Sequence, residues 1–282
     1  METFIEILKA ILIGIVQGIT EWLPVSSTGH MILVNEFVRL DVSDAFFELF
    51  EVVIQFGSIL AVLILFFDKL NPFSRKKDEE MKKKTWVLWF RVIIAVFPAA
   101  IIGLTFDDWF QEKFYNYVAV AVALVFYGVL FIIIERRNKN KEMKYNDVYD
   151  IDCVTALEIG VFQILSIIPG TSRSGSTILG ASMVGVSRSA AAEFSFFLAV
   201  PVMIGASGYK LLKYISNVGF VFSTTELIVL LVGTVTAFAV SLIVIKFLMN
   251  FVRKHSFESF GWYRIALGII VLGYNLVKII VS

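Results

Sequence analysis

The sequence predicts an all-α polytopic membrane protein with six transmembrane helices and two re-entrant helix pairs, arranged as an inverted-topology repeat. The first observation behind this prediction is the composition, since 58% of the 282 residues are hydrophobic and only 17% are charged. The mean hydropathy is +0.81. Soluble domains carry about 25% charged residues, so this composition excludes an ordinary water-soluble domain. The distribution of basic residues and a repeated polar motif are the other two observations.

Six apolar runs reach the length of about 20 residues that a helix needs to cross a membrane. They cover residues 47–67, 86–106, 116–134, 189–208, 225–245 and 261–281. The first apolar run, Phe4 to Val16, is predicted to be too short to span, and the N-terminal residues, which lack a basic region and a small-residue cleavage site, do not predict a removable signal peptide. The single cysteine, Cys153, excludes an internal disulfide and a multi-cysteine metal site.

Basic residues are concentrated in three of the polar stretches between these runs. Residues 68–85 hold seven Lys/Arg, 135–150 hold five and 246–264 hold four. The stretches 107–116 and 207–224 hold only one and two. Cytoplasmic loops are the ones rich in Lys and Arg, so the three basic stretches are predicted to lie inside.

Two stretches, 4–40 and 153–187, remain after the six spans are placed. Each consists of two half-length apolar pieces around a centre rich in Pro, Ser and Gly. The orientation of the neighbouring spans requires 153–187 to return to the cytoplasmic side and 4–40 to return to the outer side. Non-helical backbone at membrane depth is tolerated only where protein or water satisfies it, so both are predicted to be re-entrant pairs lining a site.

The two segments also resemble each other. GIVQGITEWLPVSSTGHMIL (14–33) aligns with GVFQILSIIPGTSRSGSTIL (160–179) when one residue is skipped before the proline. This alignment pairs Gly14 with Gly160, Gln17 with Gln163, Pro24 with Pro169 and Ser27 with Ser172. The prediction is one domain, 1–282, whose halves of about 1–134 and 151–282 form an inverted repeat. The basic loop 135–150 joins them.

The motif PGTSRSGST (169–177) is typical of an anion site. Pro169 and Gly170 break a half-helix, and a new helix is predicted to start near Thr171 to Ser174. Amides at a helix N-terminus and a planar guanidinium suit phosphate oxygens, so Arg173 is the candidate anion ligand. The candidate substrate-binding residues around it are Gly170, Thr171, Ser172, Ser174 and Thr177. The alternative is an Arg173 that pairs structurally with Glu21, and both can hold at different stages.

The motif PVSSTGH (24–30) has the same design with a titratable group in place of the cation. Ser26 to Thr28 are predicted to cap the helix after Pro24, and Ser26 and Thr28 are further candidate phosphate ligands. His30 follows just beyond the break. Because ionisable groups at membrane depth usually face a partner or a cavity, His30 is favoured as a chemical group over a satisfied structural histidine.

Gln17 and Glu21 lie one helical turn apart on one face. Such a pair could hold Mg²⁺ or Ca²⁺ against a diphosphate, because Mg²⁺ is often bound by one or two carboxylates and substrate oxygens. The alternative is a hydrogen-bonded polar pair without a metal.

At QGITEWLPVSSTGH, FEVVIQFGSILAV, PGTSRSGST and GVSRSAAAEFSFFLAVP the chain resembles the undecaprenyl-diphosphatase (bacitracin-resistance) family. The resemblance implies removal of the terminal phosphate of undecaprenyl diphosphate at the outer face of a bacterial plasma membrane. The family's residue assignments fall here on Glu21, Ser27, His30 and Arg173. This chain has Gln at position 17, so a metal site there rests on one carboxylate.

These residues predict a hydrolase in which Ser27 attacks phosphorus and His30 acts as general base. A phosphohistidine at His30 and a metal-bound water stay open as alternatives. A transporter that flips the lipid monophosphate is the competing class, because inverted repeats with broken helices are typical of secondary transporters. The expected partners are a polyprenyl diphosphate lipid and the membrane, without nucleic acid, and a homodimer is left open.

Overall fold

A computed structural model describes residues 2–219 and 221–281 of the chain. Within these ranges the backbone forms eleven α-helices and a single 3₁₀ turn at Leu165–Ile167. The helices are α1 (Glu2–Thr20), α2 (Ser27–Phe37), α3 (Asp44–Leu65), α4 (Phe67–Leu70), α5 (Glu79–Phe114), α6 (Tyr117–Asn138), α7 (Cys153–Ile164), α8 (Arg173–Met183), α9 (Arg188–Val218), α10 (Thr224–Val252) and α11 (Glu258–Val281).

Seven of the described helices are long and apolar enough to cross a membrane: α1, α3, α5, α6, α9, α10 and α11. The prediction of an all-helical, multi-pass membrane protein is therefore confirmed. The number exceeds the predicted six because α1 does not stop at Val16. It continues to Thr20, which gives an apolar stretch of 18 residues from Thr3. The predicted end of this run at Val16 was therefore wrong, and with it the expectation that the run is too short to span.

Several helices also extend past their apolar runs into segments that were predicted as loops. α5 continues to Phe114 through most of the polar stretch 107–116. α11 begins at Glu258, so Arg264 lies inside a helix and not in the basic loop 246–264 to which it was assigned. Hydropathy marks where lipid ends, whereas helical hydrogen bonding continues until a residue caps or breaks it.

Glycines allow two helix pairs to pack with their backbones in close contact. α1 packs on α10, where a Cβ on Gly14 would lie 2.7 Å from the carbonyl oxygen of Gly233. α7 packs on α5 in the same way, and a Cβ on Gly160 would lie 2.4 Å from the carbonyl oxygen of Ala95. Small residues at such crossings are typical of helix packing in membranes.

A third close crossing joins α6 to α11. A Cβ on Gly128 would lie 2.7 Å from the carbonyl oxygen of Gly261, and a Cβ on Gly261 would lie 2.7 Å from that of Gly128. The contact is thus reciprocal between the two helices. This crossing fixes the position of α11 along the axis of α6. It therefore also fixes the position of Arg264, which lies one turn after Gly261.

Each broken segment returns to the place where it started. After α2, the amide of Asp41 donates to Glu6 Oε2 in α1 at 2.9 Å. After α8, the amide of Ser187 donates to the carbonyl of Tyr145, in the loop before α7, at 2.8 Å, and the amide of Tyr145 donates to Gly185 at 3.1 Å. The centre of each segment, between its two helices, is therefore a turn inside the helical assembly.

We expect Gly160→Ala to destabilise the protein, because the added methyl would overlap the backbone of Ala95 and overpacking costs about 1–3 kcal/mol. Gly205→Ala is the matched control, since that helical glycine has no atom within 4 Å of an added Cβ. The thermal unfolding temperature of the purified protein in detergent measures both. Equal unfolding temperatures for the two variants would contradict the close α5–α7 crossing.

Candidate active site

The two helix breaks share one conformation. Ser26 caps α2 by accepting from the amide of Gly29 at 3.2 Å, and Ser172 caps α8 by accepting from the amide of Gly175 at 3.1 Å. Their φ angles are 73° and 74°, and they are the only non-glycine residues with positive φ in the described chain. Such backbone costs about 1–3 kcal/mol per residue and tends to persist at functional sites.

This shared cap pairs the two segments differently from the predicted alignment. Ser26 corresponds to Ser172, and the same spacing of 146 residues separates Gln17 from Gln163 (172 − 26 and 163 − 17), so no residue is skipped. Ser27 therefore corresponds to Arg173 and not to Ser172. The predicted alignment matched the two prolines, Pro24 and Pro169. In the structure, the residues that occupy the same position in the two breaks are the capping serines.

Glu21 joins the first break to the second. Its Oε1 accepts from Arg173 Nη2 at 2.9 Å, and its Oε2 accepts from Gln17 Nε2 at 2.8 Å. The carboxylate is buried. The sequence analysis left two structural contacts open as alternatives, a Gln17–Glu21 pair and a Glu21–Arg173 pair. The structure contains both.

Arg173 is held in place from a second direction by α9. Its Nη1 donates to the carbonyl of Ser195 at 2.9 Å, and the Ser195 hydroxyl lies 2.7 Å from Thr177 Oγ1. The guanidinium also lies 5.7 Å from the ring centre of Trp22. Thr177 is fully buried and donates to the carbonyl of Arg173 at 2.9 Å, so in this arrangement its hydroxyl supports Arg173 from behind.

Arg264 connects the backbones of both breaks. Its Nη1 donates to the carbonyl of Pro24 at 3.2 Å, and its Nη2 donates to the carbonyls of Gly170 and Thr171 at 3.0 and 2.9 Å. The side chain is fully buried, and it forms no salt bridge with a carboxylate of the described residues. Sequence reasoning missed this residue. A cation six residues inside an apolar helix was the available signal.

The second break needs a glycine at position 170 for two reasons. Gly170 has φ +92°, and a Cβ there would lie 2.7 Å from the carbonyl oxygen of Val120. The next amide, of Thr171, donates to Ile168 at 3.1 Å and is not available to a ligand. The predicted amide clamp of 171–174 therefore starts at Ser172.

Ser174 reaches across to the first break. Its hydroxyl donates to the carbonyl of Leu23 at 3.2 Å and lies 3.2 Å from the hydroxyl of Ser172. The predicted phosphate ligands Ser172 and Ser174 are therefore adjacent to the start of α2. Two helix N-termini meet here, and their positive ends favour an anion between them.

His30 is fixed in one tautomer by its neighbours. Its Nδ1 lies 2.7 Å from the carbonyl oxygen of Ser26, which can only accept, so Nδ1 carries the hydrogen. Its Nε2 lies 2.7 Å from the hydroxyl of Tyr263, whose ring stacks on the imidazole at 5.6 Å. In the neutral ring Nε2 is therefore the basic nitrogen. Tyr263 is a second residue that sequence reasoning missed.

Ser27 and His30 lie one turn apart at the start of α2. No hydrogen bond joins them, because Tyr263 occupies the basic nitrogen of His30. Within the described part of the chain, the hydroxyls of Ser27 and Thr28 have no hydrogen-bond partner of their own. Both side chains are thus available to a ligand at the N-terminus of α2.

The charges of the site favour a bound anion. Arg173 and Arg264 contribute two guanidinium groups, and Glu21 contributes one carboxylate that is already paired with Arg173. Because the site is buried away from water, the attraction between this excess positive charge and a bound anion is stronger than it would be in solvent. A phosphate group is the ligand class that suits two guanidinium groups, helix amides and hydroxyls together.

The family model for "Bacitracin resistance protein BacA" matches residues 10–270, which include both helix breaks and Arg264. The chain belongs to this family. It is 55% identical to an undecaprenyl-diphosphatase of Enterococcus faecalis over 273 residues, which are 97% of this chain and 99% of the relative. It is 57% identical to undecaprenyl-diphosphatase 1 of Clostridioides difficile, over 97% of this chain and 98% of that relative.

Few side chains near the helix breaks could bind a metal directly. No group of three or more His, Cys, Asp or Glu side chains lies close enough to hold a metal among the described residues. Both oxygens of Glu21 already accept hydrogen bonds from Gln17 and Arg173. A cation at this pair would have to replace these hydrogen bonds, and the predicted Mg²⁺ or Ca²⁺ at Glu21 and Gln17 stays a prediction.

We expect Arg264→Met to lower the thermal unfolding temperature, because three buried carbonyls lose their donor and each unsatisfied group costs about 1–3 kcal/mol. Arg264→Lys should restore part of the loss. Arg137→Met, at an exposed arginine of α6, is the matched control. If Arg264→Met unfolds at the same temperature as this control, then Arg264 does not hold the two breaks together.

Proposed function

We propose that the chain is an undecaprenyl-diphosphatase that removes the terminal phosphate of undecaprenyl diphosphate and thereby supports bacitracin resistance. The observation that carries this proposal is the joining of two helix breaks around an excess of buried positive charge, at Arg173 and Arg264. The undecaprenyl-diphosphatases that are 55% and 57% identical over nearly the whole chain support the same substrate.

In the proposed complex the terminal phosphoryl group lies between the N-termini of α2 and α8. Arg173 Nε is buried without a hydrogen-bond partner within the described chain, so a donor remains for the phosphate while Glu21 holds Nη2. The hydroxyls of Ser26 and Thr28 and the first amides of both helices complete the clamp, whereas the Ser174 hydroxyl already donates to a backbone carbonyl. Fixed donors of this kind stabilise the charge that develops on a transferring phosphoryl group.

The proposed reaction begins with Ser27 at the first position of α2. Its oxygen forms a bond to the terminal phosphorus, the bridging P–O bond breaks, and undecaprenyl phosphate leaves. His30 Nε2 accepts the Ser27 proton once the hydroxyl of Tyr263 moves away, and passes it to the bridging oxygen of the leaving undecaprenyl phosphate. A water then attacks the phosphoserine and gives its proton to His30 Nε2. The serine P–O bond breaks, His30 returns the proton to the serine oxygen, and inorganic phosphate is released. The tautomer set by Ser26 leaves Nε2 ready for this role.

Because the same nitrogen is unprotonated, His30 could also form the bond to phosphorus itself. This alternative needs Nε2 to face the phosphate, whereas the Ser27 route needs it to face the serine hydroxyl.

A divalent cation is part of the proposal only as a group bound together with the diphosphate. Glu21 would contribute one carboxylate oxygen, and no step above depends on it.

The proposed architecture is an inverted repeat of 1–134 and 151–282 with re-entrant breaks. Three contacts support it: the paired caps at Ser26 and Ser172, the equivalent packing of α1 on α10 and α7 on α5, and the reciprocal Gly128–Gly261 crossing. We place the basic loops on the cytoplasmic side of a bacterial plasma membrane, so the first break opens to the outer side.

The homodimer is tested separately, by measuring the molar mass of the purified protein–detergent complex.

We expect Ser27→Ala to reduce phosphate release from C55 diphosphate by about 1,000-fold or more, because the nucleophile is lost. Ser256→Ala, between α10 and α11, is the control and should keep full activity. Trapping of the phosphorylated intermediate and mapping of the modified residue give the second readout. A phosphate on His30 in the wild type, or full activity in Ser27→Ala, would overturn the Ser27 route.

The transporter reading is tested on the same variants in lipid vesicles. Inverted repeats with broken helices are typical of carriers, and transbilayer movement of a lipid monophosphate that persists in Ser27→Ala would show carriage. Loss of phosphate release in Arg173→Ala and Glu21→Ala, with no lipid movement in the wild type, would leave hydrolysis as the function.

We expect Gln17→Glu to increase the response to Mg²⁺, because it places a second carboxylate 2.8 Å from Glu21, where Gln17 now donates a hydrogen bond. Phosphatase activity is titrated with Mg²⁺ after removal of metal by EDTA. The half-saturating Mg²⁺ concentration should fall by about tenfold or more in Gln17→Glu. Gln17→Met is the control, and an unchanged Mg²⁺ titration in both variants would exclude a cation at this pair.

A further inference from the structure

A second concentration of positive charge lies on the face of the basic loops, away from the helix breaks. A cavity of about 460 Å³ opens where the C-terminal ends of α6 and α10 meet the N-terminal end of α9. Four cations, Lys139, Lys141, Arg188 and Arg253, and one carboxylate, Glu135, line this basic cavity. None of the residues assigned to the helix-break site lines it.

The only carboxylate of the basic cavity is fully engaged by one of its cations. Arg188 donates from Nε to both oxygens of Glu135, at 3.1 and 3.0 Å, and from Nη2 to Oε2 at 2.6 Å. This fixes the guanidinium of Arg188 at the wall. The side chains of Lys141 and Arg253 have no hydrogen bond or ion pair with any part of the chain that the structure describes, so their charges are not compensated.

The walls of the basic cavity are held by hydrogen bonds. Asn138 Nδ2 donates to the carbonyl of Ser182 at 2.8 Å and ties α6 to α8. The Tyr145–Val186 bridge fixes the loop after α6 beside the start of α9. A ligand would therefore meet a preformed site, with less ordering of the loop required on binding.

The N-terminus of α9 adds positive potential to the same place. Ser187, Arg188 and Ser189 line the basic cavity, and the capping residue Ser187 makes no side-chain hydrogen bond to its helix. The first turn of this 31-residue helix contains no acidic residue. Its orphan amides and its positive dipole end therefore lie beside the cations of the cavity, and the one carboxylate there, Glu135, is already paired with Arg188.

We propose that the basic cavity binds a phosphate-bearing anion on the basic-loop face, as a second site distinct from the helix breaks. Phosphate oxygens match a fixed guanidinium, two uncompensated cations and helix amides. The apolar residues Met143, Val186 and Val252 also line the cavity beside the charges. The ligand is the phosphate of a lipid headgroup or free inorganic phosphate. The proposal does not depend on the chemistry at Ser27.

The test uses the full chain in phosphatidylcholine nanodiscs and measures binding of two probes, dihexanoyl phosphatidic acid and inorganic phosphate. Lys141→Ala/Arg253→Ala removes two charges from the basic cavity. Arg75→Ala/Lys76→Ala removes the same two charge types from an exposed stretch of another basic loop and is the matched control. Phosphatase activity is recorded on each preparation and should be equal in both variants.

We expect the cavity variant to bind the phosphate-bearing probe about tenfold more weakly, since each cation near a charged ligand contributes severalfold. The control should match the wild type. Weaker binding of phosphatidic acid alone identifies a lipid headgroup, and equal weakening of inorganic phosphate identifies the free ion. Binding that is the same in the cavity variant and the control, for both probes, overturns the proposal. Phosphatase activity separates this result from a failure of the hydrolase.

Discussion

The contact between the two helix breaks is the constraint on which the rest of this structure depends. A broken helix leaves amides and carbonyls without partners, and a membrane offers no water to satisfy them. Here Arg264 takes three carbonyls from both breaks, while Glu21 and Arg173 pair across them. The two breaks are therefore held together by an arginine from a third element, α11, and by one ion pair between them. The buried charges and the irregular backbone are stable only together.

Close helix packing makes that contact possible. Glycines at the α1–α10, α5–α7 and α6–α11 crossings let the backbones approach closely enough to bring the breaks to one place. The reciprocal Gly128–Gly261 contact sets the position of Arg264 along α11. A larger side chain at any of these crossings would shift a helix, and hydrogen bonds near 3 Å do not tolerate such a shift.

The same features that satisfy the breaks also prepare them for an anion. Ser26 and Ser172 hold a strained conformation that aims two helix N-termini at one point. The carboxylate of Glu21 balances one guanidinium, and the second has no carboxylate partner in the described chain. A diphosphate would complete this balance. The residues that stabilise the breaks without substrate are therefore the same ones that the proposed substrate site uses, and Glu21 is the partner of Arg173 in the structure described.

The amino-acid sequence by itself determined the membrane class, the places of the two breaks, and the identities of Glu21, Ser27, His30 and Arg173 as site candidates. These follow from local rules: apolar length, helix-breaking residues, and the cost of an ionisable group in lipid. Only the tertiary structure decided the length of α1, the ungapped register of the two caps, and the roles of Arg264, Tyr263 and Ser195. The roles of these three residues depend on contacts between residues more than 20 positions apart, up to 240 for Pro24 and Arg264. No local pattern specifies which carbonyl an arginine in a distant helix will reach.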